Sequence, residues 1–359
     1  MKKLIFLGLA LSFAMSKELS FRQIREDIFN VDDKTLITYA KKIRLKAIPS
    51  NAYELEELIK NTSPDYEIYP TTTKRIELGK KLYFDPRLSR SGLISCNTCH
   101  NLGLGGVDGV AASTGHKWQA NPHHLNAPSV YNAVFNPNQF WDGRANHLKE
   151  QAKGPIQADV EMAEDSQIVV EKIKSIPEYV NEFKDAFSND INIDFDLIAA
   201  TIGIFERTLI TPSRYDEFLE GDVNALSFDE KQGLRTFINK GCVLCHYGIN
   251  VGGAFRGFGF VRYQYVNYGD FNGNENNRVK VPTLRNVART APYFHNGSIW
   301  SLTEAVESMG RIQLGIELSE QEIKNIISFL KSLSGKLPQI VYPELPPSSD
   351  ETIRPKLDY

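Results

Sequence analysis

The chain has 359 residues, 42% hydrophobic and 24% charged, with a formal net charge of −3. That length points to about two domains, and the composition excludes a disordered chain or a multi-span membrane protein. The mild acidity argues against nucleic-acid binding.

Lys2 and Lys3 precede a short apolar run from Leu4 to Ala14, and Ala14 and Ser16 are small residues where a signal peptidase reads. Residues 1–16 therefore read as a signal peptide cut near Ser16/Lys17, which implies export. An uncleaved anchor is the competing reading, but the run is too short to span a bilayer. No later stretch approaches the ~20 apolar residues a span needs, so no transmembrane segment is expected after cleavage. Cleavage takes the charge from −3 to −5, because two lysines and no acid leave, and keeps only Met162 and Met309.

Residues 17–70 read as a helical lead-in used for packing. Ile24, Ile28, Leu36, Ile37 and Tyr39 have amphipathic spacing, and Pro49 and Pro70 punctuate the segment. A weak repeat follows. Gly79 stands four residues before Tyr83, and Gly233 four residues before Phe237. Each pair predicts a short helix on which glycine admits a second helix and the aromatic ring fills the adjoining gap. Between them, residues 166–220 read as helical, with Ile168, Val169, Ile173, Tyr179, Phe183 and Phe187 on helix faces and a buried helix from Leu197 to Leu209. Ser227 with Glu230 predicts a capping box, and a hairpin is expected around Phe255–Tyr268. Ser319 with Glu322 caps a closing helix whose stripe is Ile323, Ile326, Ile327, Leu330 and Leu333, with Gly335 at its stop. Residues 336–359 are Pro-rich and polar and read as an extended tail.

All four cysteines lie in two strings, Cys96-Asn97-Thr98-Cys99-His100 and Cys242-Val243-Leu244-Cys245-His246. C-x-x-C-H is the attachment signature of haem c. Two thiols at that spacing reach the two vinyl groups on one porphyrin edge, and the next residue puts an imidazole under the iron. Three other readings fit less well. The two pairs begin 146 residues apart, too far for the usual four-cysteine zinc site. A redox pair needs no following histidine, and a two-residue gap rarely suits a structural disulfide. The chain is thus expected to be mostly α, with two cytochrome c-like haem domains packed against each other and long loops. The boundaries are 71–218 for the first domain and 219–335 for the second.

Each iron takes a proximal histidine, His100 or His246, and has room for a second axial ligand. Met309, just ahead of the closing helix, is where small cytochrome domains place a thioether, though most methionines are core residues. For the first haem, His116, His123 and His124 are all candidates, and spacing does not choose among them.

Longer strings surround these residues: Leu78–Ser89, Cys96–Asp108, Gly115–Trp118, Phe140–Arg144, Gly154–Gln157, Val160–Met162, Pro292–Gly297 and Met309–Gln313. On them the chain resembles the bacterial dihaem cytochrome c peroxidases, from about Lys46 to Leu333. The resemblance implies a periplasmic enzyme, commonly a homodimer, that reduces hydrogen peroxide with electrons from a small soluble c-type cytochrome. It makes His100 the proximal and His116 the releasable distal ligand of a low-potential, peroxidatic haem. It makes His246 and Met309 the axial pair of a high-potential, electron-accepting haem. Glu161 and Gln151 match the residues that handle peroxide, and Trp141 the tryptophan between the haems. Asn126, Thr290 and Pro292 match positions that bind calcium.

The chemistry is coherent on its own terms. Reducing peroxide to two waters needs two electrons and two protons. A carboxylate in an apolar pocket can carry a proton from one peroxide oxygen to the other. An iron held by two histidines has no place for peroxide, so His116 has to leave, and reduction of the other haem would favour the open state. Two competing functions are a plain electron carrier, which needs neither Glu161 nor a mobile His116, and a related dihaem enzyme that oxidises protein tryptophans. The latter type carries a tyrosine where Met309 stands, so Met309 favours the peroxidase.

Overall fold

The computed structural model describes residues 20–257 and 271–357. The expected signal peptide at 1–16 lies outside these residues. So does most of the expected hairpin at Phe255–Tyr268, of which Phe255–Arg256 (β1) pairs antiparallel with Val279–Lys280 (β2). The described chain is otherwise helices joined by long loops, as the sequence predicts.

The lead-in supplies α1 (Phe21–Asp27), α2 (Asp33–Lys42) and α3 (Ala52–Thr62), opened by Ser20, Asp32 and Asn51, whose side-chain oxygens accept amides of the first turn. Then come α4 (Thr73–Phe84), the single turn α5 (Cys96–Cys99), α6 (Leu148–Gln157), α7 (Ser166–Lys174), α8 (Pro177–Ala186) and α9 (Phe195–Glu206). Every residue of α9 from Leu197 to Glu206 is buried. The second half adds α10 (Arg214–Glu220), α11 (Phe228–Lys240), α12 (Leu302–Met309) and α13 (Glu320–Ser332). Both expected capping boxes, at Ser227/Glu230 and Ser319/Glu322, are formed.

The glycine–aromatic repeat organises two crossings of the same design. A Cβ at Gly79 would sit 2.1 Å from the Thr201 carbonyl oxygen of α9, and one at Gly233 would sit 2.0 Å from that of Asn325 in α13. Only glycine lets these backbones meet. Beside each contact the predicted aromatic pairs with a phenylalanine of the crossing helix: Tyr83 with Phe205 at 5.3 Å and Phe237 with Phe329 at 5.1 Å. Such pairs contribute about 0.5–1.5 kcal/mol beyond their buried area.

The two cores do not follow the chain in blocks. Ile24, Ile28 and Leu36 of the lead-in join Leu234 and Phe329 in the second core, as do Tyr215 and Phe218 of α10. The tail leaves α13 at Ser332, before Gly335, whose N–H donates to Asn286 Oδ1 (3.0 Å). It then runs back over the first half. Leu337 and Ile340 pack on the first core, Tyr342 lies on Phe84 with ring centroids 4.6 Å apart, and the Pro346 carbonyl accepts from Arg87.

Candidate functional site

Each C-x-x-C-H string is wound into one tight turn, α5 for Cys96–Cys99 and a 3-10 turn for Cys242–Leu244. The His100 and His246 amides each donate back to the carbonyl of the first cysteine, at 2.9 and 3.0 Å. All four cysteines are thiols, and among the described residues no three His, Cys, Asp or Glu side chains gather as a metal cluster. The disulfide and zinc readings therefore find no geometry here. Burial pushes the Cys96 thiol up, and pushes Cys99 and Cys242 each to about 12.

The histidines are oriented by backbone. Nδ1–H of His100 donates to the Pro128 carbonyl at 3.0 Å, and Nδ1–H of His246 to that of Val251 at 3.3 Å. This leaves each Nε2 with a free lone pair, as a metal-ligating imidazole requires. Burial disfavours the charged form of both rings, lowering His246 to about 4 and His100 in the same direction.

Each histidine opens on an apolar cavity of about 160 Å³. The first is lined by Cys96, Cys99, His100, Trp141, Gln151 and Glu161. The second is lined by Cys242, His246, Met309, Trp141, Asn126 and Thr290, with Pro292 also on its wall. A smaller cavity of about 50 Å³ adjoins it and is bordered by Cys245, His246, Met309 and His295. Two free thiols, a neutral imidazole with Nε2 free and an apolar cavity, repeated twice, fit two haem c groups.

The structure thus brings together most of the residues singled out in the sequence. Met309 ends α12 on the same cavity wall as His246. Trp141, buried, lines both large cavities, and its Nε1–H donates to the Asn126 carbonyl at 2.9 Å. The Asn126 side-chain amide in turn donates to the Pro292 and Phe294 carbonyls, at 2.7 and 3.2 Å. His116 stands apart. It is buried and neither ring nitrogen has a hydrogen-bond partner, yet it does not line the His100 cavity. His123 and His124 are exposed. His295 is buried edge-on to Trp141, with ring centroids 6.4 Å apart.

Burial raises the Glu161 carboxyl above its ordinary value, against the opposing pull of Arg144 and His123. Among the wall residues not singled out in the sequence are Glu206 and Lys280. Glu206, at the end of α9, lines the His100 cavity with Oε2 unpartnered, and burial pushes it up to about 8. Its signal was available, a lone acid in an otherwise apolar run. Lys280, on β2, lines all three cavities, and its sequence context of alternating basic and valine residues carries no such mark.

Comparison with known proteins agrees with this geometry. Residues 73–224 match the family described as di-haem cytochrome c peroxidase, and residues 231–334 match cytochrome c. Cytochrome c551 peroxidase of Pseudomonas aeruginosa is 49% identical over 80% of this chain and 86% of its own length. Cytochrome c peroxidase Ccp of Escherichia coli is 38% identical over 84% of this chain and 66% of its own. Among solved structures, a MauG-like protein associated with microbial copper homeostasis superimposes with a TM-score of 0.66 at 25% identity, covering 75% of this chain and 92% of that one.

Proposed function

The chain belongs to the di-haem cytochrome c peroxidase family, and on that premise we propose that it is an exported enzyme reducing hydrogen peroxide in the periplasm. Its electrons come from a small soluble c-type cytochrome. The observation that carries the reading is the inequality of the two cavities around a shared Trp141. One holds Glu161 and Gln151, and the other holds Met309. Export is supported by the basic–apolar start of the chain. Among the described residues no helix is long and apolar enough to cross a membrane.

Cys96, Cys99 and His100 would hold one haem c, and Cys242, Cys245, His246 and Met309 the other. Bound haem supplies an iron that takes a peroxide oxygen and two redox centres that deliver the two electrons. The protein's own groups do the rest. Gln151 orients peroxide through its side-chain amide. Glu161 accepts the proton of the near oxygen on a carboxylate oxygen and returns it to the far one, so that the far oxygen leaves as water. Its raised proton affinity suits that exchange, because a carboxylate at its ordinary value would give the proton to solvent instead. That proton is peroxide's own, so both protons needed for the second water come from solvent. His116, off the cavity wall, leaves room for peroxide, and its return would block the site. Trp141 lines both cavities and offers an aromatic bridge for an electron between them.

A calcium ion at Asn126, Thr290 and Pro292 belongs to the same reading, along with the homodimer. All three residues border the His246 cavity, and the Asn126 amide donates to the Pro292 carbonyl at 2.7 Å, so a cation there would displace that hydrogen bond and take the Asn126 and backbone oxygens instead. Met309 on that wall also favours a peroxidase over the tyrosine-bearing tryptophan-oxidising enzymes. A redox titration followed by absorption, with peroxide added at each stage, tests the function. Two haems per chain and peroxide turnover once the first is reduced are expected. Absence of turnover at the half-reduced stage would overturn it.

A further inference from the structure

Among the described residues, Trp141 and Lys280 alone line all three cavities. They are joined through the backbone, Lys280 N–H donating to the Trp141 carbonyl at 2.8 Å. The β1–β2 ladder, in which Lys280 faces Phe255, fixes the position further. Lys280 is 5% exposed, and its ammonium donates to the Asn138 carbonyl at 3.1 Å. An ammonium has three donors, and one backbone carbonyl does not balance a buried charge. Burial accordingly lowers Lys280 to about 8, with Asp142 pulling the other way. Asp142 is not Lys280's own counter-ion, because Arg144 holds it at 3.0 Å. A long side chain of this kind ordinarily turns its charge to water, whereas this one is held at the meeting point of three apolar spaces.

Haem c brings the missing carboxylates, since each carries two anionic propionates. We propose that Lys280 is the anion anchor of this junction, binding a propionate of the haem in the His246 cavity and raising the potential of that haem. The assignment to the His246 side follows from the cavities, two of the three that Lys280 borders being on that side. It rests on the reading that both cavities hold haem c. A fixed cation favours the reduced, less positive iron, so Lys280 would help make this haem the one that fills first.

The test uses the holoenzyme and its Lys280→Met and Lys280→Arg variants. Haem is counted first by absorption, because a wild-type chain without two haems would refute the underlying reading and not the anchor. Spectroelectrochemical titration then follows each haem. Lys280→Met is expected to lower the reduction equilibrium of the His246 haem by about tenfold, which is about 59 mV for a one-electron couple. Lys280→Arg, which keeps the charge, stays within about threefold of wild type. A Lys280→Met enzyme whose potentials also stay within about threefold overturns the proposal. Should Lys280→Met fail to fold or to load haem, a structure of the wild-type holoenzyme decides. A propionate oxygen within about 4 Å of Nζ supports the anchor, and none within that distance overturns it.

Discussion

His116 and Glu161 are joined through the backbone, the His116 amide donating to the Glu161 carbonyl at 2.7 Å. Their side chains part from there, the carboxyl lining the His100 cavity and the imidazole lying off it with both nitrogens unpartnered. The segment that would carry the distal ligand is therefore tied to the segment that carries the acid.

If His116 gates the iron, His116→Gly should turn over peroxide in the fully oxidised enzyme. Stopped-flow mixing with peroxide, with and without one prior electron, measures this. A variant that still requires the prior electron would show that another group blocks the site.

Glu161→Gln keeps the shape of the cavity and removes the proton carrier. Turnover should fall by about 10²–10⁴-fold, the usual contribution of a positioned acid–base group. The wild-type enzyme should lose activity toward acid pH through a midpoint above that of an ordinary glutamate, because the carboxylate form accepts the proton and burial raises its affinity. That limb should be missing from the residual Glu161→Gln activity. An unchanged pH profile would remove Glu161 from the mechanism.

Glu206 makes a prediction about stability. Burial raises it from 4.5 to about 8. Between those values the folded chain keeps a proton that the unfolded chain has released, so stability falls as pH rises through the window. Glu206→Gln should remove this slope. Thermal unfolding of the two proteins at pH 5 and pH 8 checks it, with the variant gaining relative stability only at the higher pH. Equal slopes would mean that Glu206 has found a partner when the cavity is filled.

The two helix crossings should each fail on a single methyl group. Gly79→Ala and Gly233→Ala put Cβ about 2 Å from a backbone oxygen of the crossing helix, which cannot be relieved by a side-chain rotation. Overpacking of this kind costs about 1–3 kcal/mol or more, against about 1 kcal/mol gained in helix propensity. Urea denaturation should show a net loss for both, and a more stable alanine variant would contradict the packing.

What the sequence made legible was local. Capping boxes at Ser227 and Ser319, the two thiol–imidazole turns and the glycine–aromatic spacing all lie within a few residues, where backbone geometry ties sequence directly to shape. The identity of the helix crossing Gly79 was a different matter, because α9 lies more than a hundred residues away and only the filled core selects it. For the same reason the lead-in was read as a packing segment without its destination, and α1 and α2 prove to complete the second core. Spacing left three histidines open as the distal ligand of the first haem. In the structure His123 and His124 are exposed, while His116 is buried and hydrogen-bonded through its amide to the Glu161 carbonyl. Lys280 was invisible because a buried lysine looks like any other in sequence, and its surroundings come from the distant 138–142 loop and from β1.

The returning tail bears on how the molecule is assembled. Tyr342 covers Phe84, Ser349 Oγ donates to the Ser175 carbonyl and Lys356 N–H to that of Arg90. The first half thus receives its final cover from residues made long after it. A chain still being made leaves that surface open, and closes it only when the second half has been added. For the first half, order of synthesis and order of completion run in opposite directions.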